Sequence, residues 1–163
     1  GVAGWYMKVL DAPPDPETPE AEPPEPKRGE VRVKVQAAGV SLPDLMMREG
    51  IHPETPAVSF TPGWNFVGVV DGLGDGVSGI EPAQMVAALP ISGAYGEYVC
   101  LTHSELVPVP AGLYVAETVS LILNYITAYQ MMHRSARVIP GQRVLIHGAA
   151  GGVGSGVWAP CWG

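Results

Sequence analysis

Apolar and polar residues alternate along Val31-Arg32-Val33-Lys34-Val35-Gln36, the pattern of a strand with one solvated face. Phe66 to Val70 is a second β-rich run, closed by Gly72, Gly74, Gly76 and Gly79. Met85 to Leu89 and Tyr95 to Leu101 supply two more strand candidates, with Pro90 and Gly93 turning the chain between them. Val107-Pro108-Val109-Pro110 reads as an edge or exit segment, because proline cannot donate to a ladder. Many short strands separated by glycine turns predict a compact β-barrel or sandwich. The period then changes. Val115 to Arg134 contains no Pro or Gly, carries Glu117 in its first turn and ends near His133 and Arg134, where cations suit a helix dipole. One long helix, or two with a break near Asn124, both fit. After the turn at Pro140-Gly141, Arg143-Val144-Leu145-Ile146-His147 is a strand candidate that runs straight into glycines.

Composition qualifies this picture. Gly and Pro number 21 and 17 in 163 residues, above ordinary usage. Many of the prolines lie in the Pro/Glu-rich segment Asp11 to Pro26, which has little to bury and is expected to be extended and solvated. The formal charge of -7, with no long basic run, argues against a nucleic-acid or anionic-membrane partner. Cys100 and Cys161 are too few and too far apart for a disulfide framework or a clustered metal site. No apolar stretch approaches the roughly 20 residues of a membrane-spanning helix, and Gly1 to Met7 lacks the blocks of a secretory signal. A soluble, reducing, cytoplasmic setting is the expectation.

The segment Gly148-Ala149-Ala150-Gly151-Gly152-Val153-Gly154 carries the clearest chemistry. Set against the dinucleotide fingerprint G-x-G-x-x-G, Ala149 takes the first position, Gly151 the second and Gly154 the third. A side chain at the second position would block backbone approach to a pyrophosphate, and the third lets the following helix pack closely. Helix amides then face the phosphates. A helix of ten or more residues is expected after Gly154, yet Pro160 interrupts it within two turns. The residue that reads the ribose 2′ position falls about 20 residues on, so this stretch does not separate NAD from NADP.

Ala37-Ala38-Gly39-Val40, Pro62-Gly63, Gly68-Val69-Val70 and Gly96-Glu97-Tyr98 occur in the order seen in medium-chain dehydrogenases/reductases. Thr127-Ala128-Tyr129, Pro140-Gly141 and His147 to Gly154 narrow the likeness, and the chain resembles the zinc-independent, quinone-oxidoreductase-like (zeta-crystallin-like) branch over roughly Gly29 to Ser155. The resemblance implies a fold between α+β and α/β, with a GroES-like β-barrel domain followed by a truncated start of a Rossmann domain. The implied boundaries are a Pro/Glu-rich segment over 1–29, the GroES-like domain over 30–114 and the nucleotide-binding start over 115–163. It further implies hydride transfer from NADPH to a quinone or enone, with nicotinamide held between the two domains, and a homodimer as a partner state.

Zinc enzymes of this superfamily place a Cys after the Gly-Val step and a His-Glu pair after Pro-Gly. Ser41, Trp64 and Asn65 stand there in this chain, and neither serine nor tryptophan is a usual zinc ligand. His52, His103, His133 and His147 show no ligand spacing, so no metal is expected. By the resemblance the cofactor-binding residues are Ser41, Asn124, Thr127, Ala150, Gly151, Gly152, Val153 and Gly154. A tyrosine frequent in this branch is replaced by Met46, which argues against tyrosine-assisted protonation. Met7 to Leu10 running into prolines, and the tail after Ser155, depart from the family pattern. The expectation is therefore a fragment or truncated isoform of the oxidoreductase, inactive by itself. A non-catalytic GroES-like interaction or dimerisation module is the alternative. A chaperonin-type binding protein would have no use for the glycine loop.

Overall fold

The computed structural model describes residues 2–3, 20–57 and 60–158. The chain divides into two compact units, one ending at Val119 and the next beginning at Ser120.

In the first unit, two short strands, β1 (Val2–Ala3) and β2 (Glu20–Ala21), pair antiparallel. Met7 to Leu10, where the family pattern is departed from, and Asp11 to Pro19 lie outside the described residues; of the segment expected to be extended, residues 22–26 have no regular secondary structure. The main sheet contains β3 (Glu30–Ala38), β4 (Phe66–Leu73), β5 (Met85–Ala88), β6 (Tyr98–Thr102) and β7 (Val107–Pro108). Its order is β6-β3-β4-β5-β7, antiparallel throughout. The alternation read from the sequence sets the face of β3: Val31 and Val33 are fully buried while Lys34 is exposed. Arg32, on the outer face, pairs with Asp71 at 2.7 Å and lies 5.8 Å from the Tyr98 ring centroid. The register against β4 shifts between Arg32 and Val33 and again between Val35 and Ala37. Such bulges bend a strand and raise its twist, which lets one sheet wrap a core. Val31, Val33, Phe66, Val86 and Leu106 belong to that core. Between β3 and β4 the chain forms helix α1 (Leu42–Arg48), with Ser41 as its N-cap and a proline in its first turn, where a missing N–H has no cost.

Helix α2 (Val115–Tyr129) crosses from the first unit into the second and continues without a break into a π-helical stretch over Gln130–Ser135. There is one helix, with no interruption at Asn124. Residues 142–146, expected as a strand, adopt no regular secondary structure. The reason is elementary: a strand exists through its neighbours' hydrogen bonds, and no described residue pairs with this one. Leu145 is 81% exposed. Helix α3 (Gly152–Trp158) begins inside the glycine segment rather than after Gly154, and runs for 7 described residues, fewer than the ten or more expected. Pro160 lies outside the described residues. No helix among them is long and apolar enough to cross a membrane.

Candidate functional site

In the second unit the glycine loop is closed by its own backbone. The Gly151 amide donates to the Gly148 carbonyl at 2.9 Å, and the Ser155 amide donates to the Gly151 carbonyl at 2.8 Å. The Trp158 indole donates to the Ala149 carbonyl at 2.9 Å. Gly154 is buried, and a Cβ there would collide with the Gly148 carbonyl oxygen and sit 2.7 Å from the Ala149 Cα. The approach is to the loop's own backbone, since residues 142–146 form no strand for the helix to pack on. Ala150, Gly151 and Gly152 are exposed and Val153 is half-buried, so the outer rim of the loop is open to a ligand.

Asn124 and the loop come together. A Cβ on Gly152 would lie 2.6 Å from the Asn124 Nδ2, so the amide packs against the loop backbone, and Nδ2 also donates to the Ser120 carbonyl at 3.1 Å. Thr127, one turn further along α2, donates its hydroxyl to the Leu123 carbonyl at 2.7 Å. Its proton is used within the helix, and only lone pairs remain for any other partner.

Ser41 belongs to the first unit and is half-buried. Its amide and its hydroxyl both donate to Oδ2 of Asp44, at 2.9 and 2.7 Å. Asp44 is 4% exposed, and its Oδ1 has no hydrogen-bond partner. The Tyr95 hydroxyl donates to the Gly39 carbonyl at 3.3 Å. Burial, and then the adjacent Asp44 charge, push the Tyr95 phenol well above the ordinary tyrosine range.

The other two positions that hold zinc ligands in related dehydrogenases are filled by packing groups. Trp64 is buried and meets His52 edge-on, with ring centroids 5.1 Å apart. Asn65 is 2% exposed and donates to the Val119 carbonyl at 2.7 Å, which fastens the start of α2 within the first unit. The remaining histidines are scattered: His103 Nδ1 lies 3.1 Å from the Gly29 carbonyl, His133 stacks with Tyr129, and His147 is exposed. Among the described residues no group of three or more His, Cys, Asp or Glu gathers in metal-binding geometry. Cys100 is half-buried; burial and then Glu30 raise its thiol pKa, which suppresses the thiolate. Cys161 lies outside the described residues.

Sequence reasoning missed Asp44, although Ser41 followed three residues later by an acid is a capping-box signal before a helix. Tyr95 and the Trp158 to Ala149 bond have no local signal, since each partner is fixed by the fold.

Residues 27–111 match the alcohol dehydrogenase GroES-like domain, and the chain belongs to that family. Within it the likeness is to quinone-oxidoreductase-like members of the medium-chain dehydrogenase/reductase group. The rat synaptic vesicle membrane protein VAT-1 homolog is 37% identical over 141 residues, covering 86% of this chain and 35% of that protein. The crystal structure of the human VAT-1 homolog-like protein superposes with a TM-score of 0.87 at 31% identity, covering 96% of this chain and 50% of that one. The quinone oxidoreductase of Thermus thermophilus, solved also in complex with NADPH, gives a TM-score of 0.81 at 32% identity over 95% of this chain and 47% of its own. The chain thus spans about a third of that curated relative and about half of those two solved structures. The GroES-like fold implied by the resemblance is the fold observed, and its main sheet is antiparallel.

Proposed function

We propose that this chain carries the substrate domain and the first nucleotide-binding turn of a zinc-free, NADPH-dependent oxidoreductase that reduces quinones or activated alkenes by hydride transfer. The observation that carries this reading is the glycine loop, which has a glycine wherever a side chain would collide with Gly148 or Asn124. The NADPH complex of the related Thermus thermophilus enzyme supports the choice of cofactor. NADPH supplies the hydride when bound. This chain's part is to orient it, through Ala150, Gly151, Gly152, Val153 and Gly154 at the loop, Asn124 and Thr127 on α2, and Ser41. Ser41, Trp64 and Asn65 support a metal-free mechanism, because their side chains bond or pack within the protein and none is a usual zinc ligand. On this reading the domain boundaries are 1–29, 30–114 and 115–163, the setting is cytoplasmic, the substrate is a small quinone or enone and the partner state is a homodimer.

A second reading, a non-catalytic GroES-like interaction or dimerisation module, draws on residues 142–146, whose apolar side chains stand largely exposed. A nucleotide crevice needs neighbouring parallel strands, so NADPH binding by this chain is expected to be weak. Trp158, bonded to the loop, is the natural reporter. Titrating NADPH against its fluorescence should give quenching without saturation in the low-micromolar range; tight saturable binding there would refute the expected weakness and favour a competent enzyme. Elemental analysis should find no stoichiometric zinc, and a full equivalent would end the zinc-free reading.

A further inference from the structure

The Pro/Glu-rich segment has little to bury, yet its last residues touch the outer face of the main sheet. Arg32 Nη1 donates to the Pro24 carbonyl at 3.2 Å and to Glu25 Oε1 at 3.3 Å. The Cys100 thiol, a weak donor, lies 3.7 Å from the same carbonyl. The two surfaces differ in kind. Residues 23, 24 and 26 are prolines, so across 23–26 only the Glu25 amide can donate, and the segment is a strip of carbonyl acceptors beside one carboxylate. The face beneath it supplies donors. Arg32 and Cys100 sit opposite each other across β3 and β6, and Lys34 faces Tyr98 two residues further along.

Arg32 is fixed from the sheet side independently of the segment. Its Nε donates to Asp71 at 2.7 Å, and its guanidinium lies 5.8 Å from the Tyr98 ring centroid. The Arg32 side chain is 20% exposed, whereas that of Glu25 is 89% exposed. An ion pair with so exposed an acid contributes little. The main hold on the segment is therefore the charge-assisted bond to the Pro24 carbonyl.

We propose that residues 23–26 form a strap over the outer face of β3 and β6, clasped by Arg32 through the Pro24 carbonyl and opening to uncover the Cys100 thiol. A guanidinium suits the clasp because it reaches Asp71 with one nitrogen and the strap with another. A lysine ammonium is a single point of charge and cannot hold both in this geometry. The strap lies wholly in the first unit and uses none of the residues assigned to the cofactor.

The test uses the full chain labelled with nitrogen-15. In the wild type the heteronuclear NOE of the Glu25 amide should match those of β3, the signature of a segment docked on the ps–ns timescale. Arg32→Met, which keeps an unbranched side chain, should lower the Glu25 value well below an unchanged β3. Alkylation of Cys100, read by peptide mass so that Cys161 does not interfere, should accelerate by about 3- to 10-fold, the worth of one hydrogen bond. The sign is diagnostic. Burial and then Glu30 raise the Cys100 thiol pKa while Arg32 opposes them, so loss of the Arg32 charge alone would slow the reaction. Arg32→Lys should release the strap as well, and it decides by both readouts if Arg32→Met does not fold. Glu25→Gln should leave both readings close to wild type. A Glu25 amide already mobile in the wild type, or still ordered in Arg32→Met, overturns the clasp, as does alkylation that slows. Full release in Glu25→Gln would assign the hold to the carboxylate and overturn the Pro24 carbonyl as the grip.

Discussion

Two valine-containing apolar segments of this chain end in different states. Val31 and Val33 lie in β3, between β4 and β6, and are fully buried. Val144 and Leu145 have comparable hydrophobicity and remain 44% and 81% exposed in a segment without regular structure. The period separates them. An alternating strand needs one covered face and finds it in its own sheet, whereas a continuous apolar run needs neighbours on both sides. Apolar character predicts the demand for burial, and only topology decides whether the demand is met.

The sharpest way to break this contrast is to truncate one residue on each side of it. Phe66→Ala, at a fully buried core position, should lose about 3–5 kcal/mol in urea unfolding. Leu145→Ser should stay within about 0.5 kcal/mol of the wild type; a large loss there would mean that residues 142–146 are packed after all. A smaller effect is expected in the second unit. Gly154→Ala forces a methyl group against the Gly148 carbonyl, and overpacking of this kind costs about 1–3 kcal/mol. Hydrogen exchange should accelerate in α3 and leave β3 and β4 unchanged, whereas uniform acceleration would contradict the division into two units.

Alkaline pH probes the first unit more gently. Tyr95 has a raised folded pKa, so the folded chain retains a proton that the unfolded chain releases near pH 10. Its contribution is complete below that pH and is lost as the pH rises toward the folded value. Cys100, also raised, acts in the same direction from about pH 8.5. Tyr95→Phe should flatten the upper part of the alkaline decline in Tm, and an unaltered slope would remove Tyr95 from the account. The smallest effect belongs to the solvated face of β3. Disrupting the Arg32–Asp71 pair with Asp71→Asn should cost about 0.2–1 kcal/mol and lose significance in high salt.

The main sheet and the long helix were legible in the sequence because their signals are local. Period two at Val31–Gln36 and the absence of Pro and Gly from Val115 to Arg134 each describe one element without reference to another. The 142–146 segment was not legible for the opposite reason, since its state depends on partners a linear pattern does not specify. The candidate site divides in the same way. The glycines of the loop follow from spacing, and their crowding against Gly148 and Asn124 agrees with that spacing. The Asn65 bond to Val119 spans 54 positions, and no window of sequence contains both ends. Asp44 stands between these cases: the motif was readable, but its burial came only from the fold.

Strand β7 has a consequence for handling the protein. It closes one end of the sheet with two residues, and Pro108, opposite Val86, has no amide proton. A strand from another molecule arriving at that edge would meet a gap in the donor row, so the sheet is a poor template for intermolecular growth there. Precipitation during concentration should therefore start elsewhere, with the exposed Val144-Leu145 pair as the first place to mutate for solubility.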